Sequence, residues 1–375
     1  MTQGLNNKIS VVIPTYNEKE NIGPLIARTA AALKSFNYEI IIVDDDSSDG
    51  TADAASELSF QYPVKVIVRK DERGLASAVV KGFAASSGDI LAVMDADLQH
   101  PPEVLTSMVA AIESGADTAV ASRYVPGGGC EGWSRLRIIE SKIATLFAHI
   151  LLPKIRKVRD PMSGFFAVRR SVIENVDLRP SGYKILLEIL VKGKTGSTVE
   201  VPFVFQVRER GSSKLNTRQQ VEYLKHLLAL VHYSGEFKRI MKYCIVGGSG
   251  IIVDMGIFWV LASFTGMFEV LAAAVSAETA IITNYTFNNF FTFADRSTPG
   301  VRSFFSRLLK FNLVSLSGIG IKLAVLWVLI LIFGSYILVP GLWGMAVTTA
   351  LVFNLCGIAI ATVWNYTVNT WWTWK

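Results

Sequence analysis

The sequence predicts a two-part protein, a doubly wound α/β domain followed by an all-α, four-helix transmembrane domain. Three observations predict it. The first is a charge split hidden by the whole-chain values of 375 residues, net charge +6 and 18% charged side chains. Residues 1–240 hold 30 basic and 27 acidic side chains, 57 of 240 positions, whereas residues 241–375 hold seven and four, 11 of 135. A soluble domain carries roughly 25% charged residues, so only the second part is unusual. The second observation is four long apolar stretches in that part. The third is an alternation of apolar strands with helices in the first part. Together they exclude a disordered chain and a uniformly soluble enzyme. Cys130, Cys244 and Cys356 are too scattered for a disulfide scaffold. The small basic excess suits a membrane surface or phosphate ligands, and no basic patch points to nucleic acid.

Ile9–Tyr16 (ISVVIPTY) reads as a buried strand, and Asn17–Ile22 opens a helix running to about Leu33. Glu39–Asp46 is the second strand, and Ser47–Gly50 starts the next helix. Val64–Val68 and Ile90–Met94 are further strands, with Gly74–Ser86 helical between them. This alternation argues for a parallel sheet, whose ligands bind beyond the carboxyl ends of the strands. The polar clusters fall there: Tyr16 and Glu18, then Asp44–Asp46, then Asp95, Asp97 and Gln99.

Asp95, Asp97 and Gln99 alternate at a strand end, so their side chains are expected on one side. Two carboxylates and an amide oxygen make an all-oxygen set suited to Mg²⁺ or Mn²⁺, which commonly adds substrate phosphates to one or two carboxylates. A sugar-nucleotide diphosphate leaving group needs such charge neutralisation as its bond breaks. The bland alternative makes Asp97 a helix cap. His149, His226 and His232 share no metal-ligand spacing and read as helix-face residues.

In the second part, spans are expected at about 243–264, 268–291, 311–333 and 341–364, each near the ~20 residues a bilayer requires. Lys238, Arg239 and Lys242 precede the first, and Arg296, Arg302, Arg307 and Lys310 lie between the second and third. By the positive-inside rule both termini are expected in the cytosol, with Trp371, Trp372 and Trp374 as an aromatic belt. Residues 1–10 are polar and lack a signal-peptide core, in keeping with a cytosolic first domain. The spans repeat: Lys242-Tyr-Cys-Ile-Val-Gly-Gly-Ser-Gly matches Lys310-Phe-Asn-Leu-Val-Ser-Leu-Ser-Gly, and Asn284-Tyr-Thr-Phe-Asn matches Asn365-Tyr-Thr-Val-Asn. The repeat is a parallel 2+2 duplication. Asp254 and Lys322 occupy the same repeat position and are expected to pair, because isolated intramembrane charges are costly. Asn284, Asn288, Asn365 and Asn369 are expected to make inter-helix hydrogen bonds of about 0.6–2 kcal/mol each. Residues 214–241 are expected to form an amphipathic interface helix and linker, and Arg135–Lys157 a second amphipathic helix.

The motifs Pro14-Thr-Tyr-Asn-Glu18, Val43-Asp-Asp-Asp46, Asp95-Ala-Asp-Leu-Gln-His-Pro-Pro102 and Ser122-Arg-Tyr124 resemble family 2 glycosyltransferases of the GT-A (Rossmann-like) fold. Asp160-Pro-Met-Ser-Gly-Phe-Phe166, Gly182-Tyr-Lys-Ile-Leu-Leu-Glu188 and Arg208-Glu-Arg-Gly-Ser-Ser-Lys214 narrow the resemblance to polyprenyl-phosphate glycosyltransferases, most closely the dolichol-phosphate mannose synthases. The remainder is similar to the GtrA-like membrane domain. The resemblance implies a catalytic domain over 1–213 and a membrane domain over 242–375. One departure from the family pattern is Gly50 in the Ser-Ser-Asp-Gly turn, where members vary, and nothing essential rests on it.

What the resemblance implies for the site is specific. Pro14, Tyr16, Glu18, Val43 and Asp45 would hold the nucleoside. Asp95, Ala96, Asp97 and Gln99 would bind metal and diphosphate, with Mg²⁺ or Mn²⁺ on Asp95, Asp97 and Gln99. Arg123, Lys184, Arg208 and Lys214 would contact the phosphates and donor sugar. Arg137 and Ser141 would receive the acceptor lipid phosphate, with Arg135 a rival. Arg suits such clamps because its planar fork matches phosphate oxygens. Asp95, Asp97, Arg123 and Arg137 would be the catalytic set. The expected reaction moves mannose from GDP-mannose to dolichyl (polyprenyl) phosphate with inversion, among membrane lipids and at the cytosolic face. Other readings use UDP-glucose, or make the membrane part a lipid-sugar flippase or an oligomerisation platform.

Overall fold

The structure, a computed structural model, describes residues 7–179, 183–207, 217–334, 336–339 and 347–375. It forms two compact units, Met1–Ser234 and Gly235–Lys375. The first runs β1 (Ile9–Thr15), α1 (Lys19–Ala32), β2 (Tyr38–Asp44), α2 (Thr51–Glu57), β3 (Val64–Val68), α3 (Leu75–Ala85), β4 (Ile90–Val93), α4 (Val104–Glu113) and β5 (Thr118–Ser122). It continues through β6 (Gly129–Cys130), α5 (Arg135–Leu151), β7 (Phe166–Arg169), α6 (Arg170–Ile173), α7 (Ile185–Lys192), β8 (Thr198–Pro202), β9 (Val204–Phe205) and α8 (Thr217–Tyr233).

Seven strands make one sheet in the order β3-β2-β1-β4-β7-β5-β8. β1 pairs in parallel with β2 and β4, β2 with β3, and β5 with β8. Val11, Val12, Ile13 and Ile40–Val43 are fully buried, as expected of parallel strands covered on both faces. One expectation fails: β7 runs antiparallel to both β4 and β5, so the sheet is mixed. Phe166, Ala167 and Val168 are buried on both faces of the sheet whichever way the strand runs, so its direction leaves no mark on composition. β6 and β9 form a separate two-stranded ribbon.

The two amphipathic expectations are both modified. Arg135–Lys157 is interrupted, because α5 ends at Leu151 and Pro153 begins a separate 3₁₀ turn. α5 keeps its apolar stripe outward: Leu136, Ile139, Ile143, Leu146 and Phe147 are all exposed. Within 214–241, α8 ends at Tyr233, Gly235 takes a left-handed φ of 76°, and a new helix starts at Glu236. α8 buries Tyr223, His226, Leu227, Leu230 and Val231 and exposes Val221, Leu224 and Leu228. His226 therefore lies inside, with Nε2 3.3 Å from Oε2 of the buried Glu188.

The second unit contains α9 (Glu236–Phe264), α10 (Glu269–Phe287), α11 (Val301–Phe333), a short β10–β11 ladder (Ile337–Val339 and Val347–Thr348) and α12 (Thr349–Val368). α10 and α12 each continue into a π-helical turn, Asn288–Thr292 and Asn369–Thr373. With those turns, four helices among the described residues are long and apolar enough to cross a membrane. The sequence repeat is a structural repeat. A Cβ on Gly250 would collide with the Asn284 side chain, and one on the matching Gly318 with the matching Asn365. Lys242 Nζ donates to Phe291 O at 3.3 Å, and the matching Lys310 Nζ to Trp372 O at 3.4 Å.

That symmetry explains why Asp254 and Lys322 do not pair. Asp254 Oδ1 accepts from Ser276 Oγ at 2.6 Å, while Lys322 lies against Gly357, the repeat equivalent of Ser276. Each faces the partner helix of its own hairpin. The asparagines also divide. Asn369 Nδ2 donates to Tyr243 Oη at 3.2 Å, whereas Oδ1 of Asn284, Asn288 and Asn365 are buried without a hydrogen-bond partner among the described residues. The stronger hub is Asn289, whose Oδ1 accepts from Arg307 Nε (3.1 Å) and Trp374 Nε1 (3.3 Å). Trp374 is accordingly core rather than belt, 1% exposed and stacked on Phe293 at 4.4 Å between ring centroids. Trp371 and Trp372 remain exposed.

Candidate active site

The site lies beyond the carboxyl ends of β1, β2, β4 and β5. Pro14, the last but one residue of β1, stands beside Val43 of β2 in parallel register, and Tyr16 and Glu18 follow at the entry to α1. Glu18 Oε2 accepts from Asn21 Nδ2 at 2.7 Å, and the Tyr16 ring lies 5.0 Å beneath the Arg73 guanidinium. Asp45 is buried and held from two sides. Arg69 grips its Oδ1 through Nε and Nη2, and the Gly74 backbone nitrogen donates to its Oδ2 at 2.8 Å. Arg69 is a site residue that the sequence motifs do not reveal. It lies 24 residues beyond Asp45, and only the fold joins them.

The acidic cluster is a loop, not a strand end. β4 stops at Val93, and Leu98 takes a left-handed φ of 61°, a conformation uncommon for a non-glycine residue. The expected strand alternation of Asp95, Asp97 and Gln99 is therefore replaced by a turn. Asp97 and Gln99 are 7% and 8% exposed, Ala96 is buried between the two aspartates, and the Asp95 side chain remains 30% exposed. Gln99 N donates to Asp97 Oδ1 at 3.2 Å. Gln99 Nε2 donates to Gln206 O at 2.8 Å, which leaves the amide oxygen as its ligand-competent end. A Cβ on Gly164 would sit 3.3 Å from Asp95 Oδ2, so glycine there leaves that carboxylate its room. No three His, Cys, Asp or Glu side chains converge as a metal cage among the described residues. The donor set present, two carboxylates and one amide oxygen, fits a divalent cation whose shell a diphosphate completes.

Cations converge on the same region, since the Arg123 and Lys184 charges act on His100 and the Asp95 charge acts on Lys184. Arg123 meets Asp160 side-on, with Nε 2.7 Å from Oδ2 and Nη2 2.7 Å from Oδ1. Burial alone would lower the Arg123 pKa, but the hydrogen bonds and charge of Asp160 raise it further, so the guanidinium is held charged. Its Nη1 end is the part Asp160 does not engage. Two guanidinium groups approach the Trp133 ring, with Arg137 Cζ 4.1 Å and Arg123 Cζ 5.2 Å from its centroid. Arg137 lies in the first turn of α5, where its backbone N–H donates to the Ser134 cap, and Ser141, one turn on, accepts from Tyr124 Oη at 2.7 Å. Arg135 is exposed and stacks on no ring among the described residues. Lys184 Nζ donates to Met162 O at 2.8 Å. Burial, and then the Arg123 charge, push Lys184 down to about 8 against the opposing pull of Asp160 and Asp95. Arg208 and Lys214 lie outside the described residues, as does Gly182.

His100 and Asp160 belong to the site although the motifs alone give neither of them a role. Both stand inside those motifs, and that adjacency is the signal the sequence offers. His100 is 2% exposed, and burial pushes its pKa down to about 4 although Asp97 opposes this, so its ring is neutral.

The fold is shared with solved structures. Glucosyl-3-phosphoglycerate synthase from Mycobacterium tuberculosis, in complex with Mn²⁺, uridine-diphosphate-glucose and phosphoglyceric acid, superposes with a TM-score of 0.50 at 19% identity, over 60% of this chain and 80% of that one. Residues 10–177 match Glycosyl transferase family 2, and residues 242–374 match the GtrA/DPMS transmembrane domain. These define a class, a GT-A glycosyltransferase unit carried on a GtrA-type membrane unit. The dolichol-phosphate mannosyltransferase of Pyrococcus furiosus is 46% identical over 98% of this chain and 99% of its own length. That of Saccharomyces cerevisiae is 40% identical over 59% of this chain and 86% of its own length. The chain belongs to the dolichol-phosphate mannosyltransferase family.

Proposed function

We propose that the protein transfers mannose from GDP-mannose to dolichyl (polyprenyl) phosphate at the cytosolic membrane face, with inversion, giving a β-linked lipid-phosphate mannose. The observation that carries this reading is the convergence of an acidic, metal-competent loop (Asp95, Asp97, Gln99) with a group of cations: the Asp95 and Arg123 charges both act on Lys184, and Arg123 and Arg137 share the Trp133 ring. A bound Mg²⁺ or Mn²⁺ would supply charge neutralisation for the departing diphosphate, held by Asp95, Asp97 and Gln99. Pro14, Tyr16, Glu18, Val43 and Asp45 line the nucleoside end. Arg208 and Lys214 complete the phosphate contacts on the resemblance alone.

An acceptor phosphate oxygen forms the new bond to the anomeric carbon, the bond from that carbon to the GDP β-phosphate oxygen breaks, and GDP leaves with the electron pair. The acceptor is already anionic, with a second pKa of ~6, so no strong general base is required. Arg137, stacked on Trp133 at the start of α5, orients that phosphate with Ser141. Along the same helix the exposed Leu136, Ile139, Ile143, Leu146 and Phe147 lie in the bilayer interface, where each large apolar side chain gains about 1.5–3 kcal/mol on leaving water. The basic residues in the first turns of α9 (Lys238, Arg239, Lys242), in the turn before α11 (Arg296) and in the first turns of α11 (Arg302, Arg307, Lys310) support a cytosolic position for the catalytic unit and both termini.

The test is a donor panel on purified membranes with polyprenyl phosphate, scored for labelled lipid. GDP-mannose is expected to label it; label from UDP-glucose alone would overturn the donor assignment. Asp97→Ala is expected to lower turnover by about 10²–10³-fold, on the scale of losing one transition-state contact, and near-normal turnover rejects the metal assignment. Arg137→Ala should raise the acceptor KM far more than the donor KM; equal rises remove Arg137 from the acceptor site.

A further inference from the structure

His100 sits in an apolar cage. Its ring stacks on Phe165 with centroids 5.1 Å apart and meets Phe203 and Phe205 edge-on at 5.7 and 5.4 Å. A phenylalanine would fill such a cage equally well, so aromatic packing does not account for an imidazole there. The ring's polar contact is with the acidic loop: Nδ1 accepts the Asp95 backbone N–H at 3.1 Å. With Nδ1 accepting, the ring proton is on Nε2. The contact falls where the sheet no longer holds the chain, two residues past the end of β4 and three before the left-handed Leu98. Gly164 closes the arrangement from the other side, since a Cβ there would lie 3.3 Å from Asp95 Oδ2 and 3.4 Å from His100 Cε1.

We infer that His100 is a positioning residue, which pins the Asp95 main chain through Nδ1 so that the Asp95 carboxylate is presented to the divalent cation. The inference rests on the metal reading given above. Residues that orient a metal ligand without touching the metal typically change its affinity 10–100-fold when lost. Two variants separate the hydrogen bond from the packing. His100→Phe keeps the stack and removes the acceptor. His100→Asn gives up the ring but places its Oδ1 at the same bond distance from the main chain as Nδ1.

The experiment uses the full-length protein in detergent with GDP, following the free Mn²⁺ signal by electron paramagnetic resonance against a GDP blank. His100→Phe is expected to weaken Mn²⁺ at least tenfold, and His100→Asn to stay within about threefold of the unmodified protein. Equal Mn²⁺ affinity in His100→Phe and the unmodified protein would overturn the inference. So would an equal loss in both variants, which would assign His100 to packing. Should the Phe variant fail to fold, a tenfold loss in His100→Asn alone still overturns it. If the unmodified protein binds no Mn²⁺, the metal reading itself fails and takes this one with it, a result distinct from every other.

Discussion

In the α/β unit the buried cations Arg69 and Arg123 each grip a buried carboxylate, Asp45 and Asp160. In the membrane unit Asp254 and Lys322, at matching positions of a duplicated hairpin, sit apart beside Ser276 and Gly357. The membrane unit keeps its ion pairs at the helix ends, where Glu236 meets Arg239 and Arg296. The contrast shows two ways of using polar groups. Around the candidate site, opposite charges fix one another, and loops that no sheet supports acquire a defined shape. Between membrane helices, close approach at Gly250–Asn284 and Gly318–Asn365 carries the frame, and the unlike charges Asp254 and Lys322 stand at matching positions without pairing.

The largest effect should come from breaking a pair in the first unit. Asp160→Ala leaves Arg123 buried and unpaired, and removing one partner of a buried pair costs about 3–5 kcal/mol. Thermal unfolding in detergent should register it as a clear drop in Tm. Converting both, Arg123→Met with Asp160→Leu, should recover most of that stability while transfer stays lost. If the double variant is as unstable as Asp160→Ala, the unpaired charge was not the cause.

How far the sequence reaches follows from the same contrast. Asp95, Asp97, Gln99 and the motifs around Tyr16 and Asp45 are contiguous, so their chemistry is legible in the order of residues alone. Arg69 and Asp160 act on residues 24 and 37 positions away, and nothing local announces that. The β7 direction is equally hidden, because Phe166–Val168 is an apolar run whichever way it lies. In the membrane unit the duplication is plain in the letters, but its consequence is geometric. Equivalent residues face equivalent partners, which is why Asp254 and Lys322 do not meet. Composition likewise could not tell Trp374, stacked in the core, from the exposed Trp371 and Trp372.

A middle-sized effect tests whether the lysine opposite the acidic loop is used as a cation. Burial lowers Lys184 to about 8, so its charge is present below that pH and lost above it. The donor KM should therefore rise between pH 7 and 9, by up to about tenfold per pH unit on the far side of 8. Lys184→Arg keeps the charge across that range and should flatten the rise. An alkaline limb that is identical in the Arg variant assigns the titration to another group.

The smallest effects should lie in the membrane hairpins, and they probe the comparison most finely. Asp254→Asn preserves an acceptor for Ser276 Oγ, so its cost should stay near the ~0.6 kcal/mol average for intramembrane hydrogen bonds. Lys322→Met removes an amine from apolar surroundings, where a charge costs ~2.5–3.5 kcal/mol at a helix centre, and should leave stability unchanged or higher. Because each residue faces its own hairpin, the two changes should add within ~0.3–0.5 kcal/mol in a double-mutant cycle. Reversible unfolding in mixed detergent would measure all four corners of that cycle. A coupling well above this range would mean that the two charges interact after all. It would return the membrane unit to the paired-charge logic of the α/β unit and remove the distinction drawn between them.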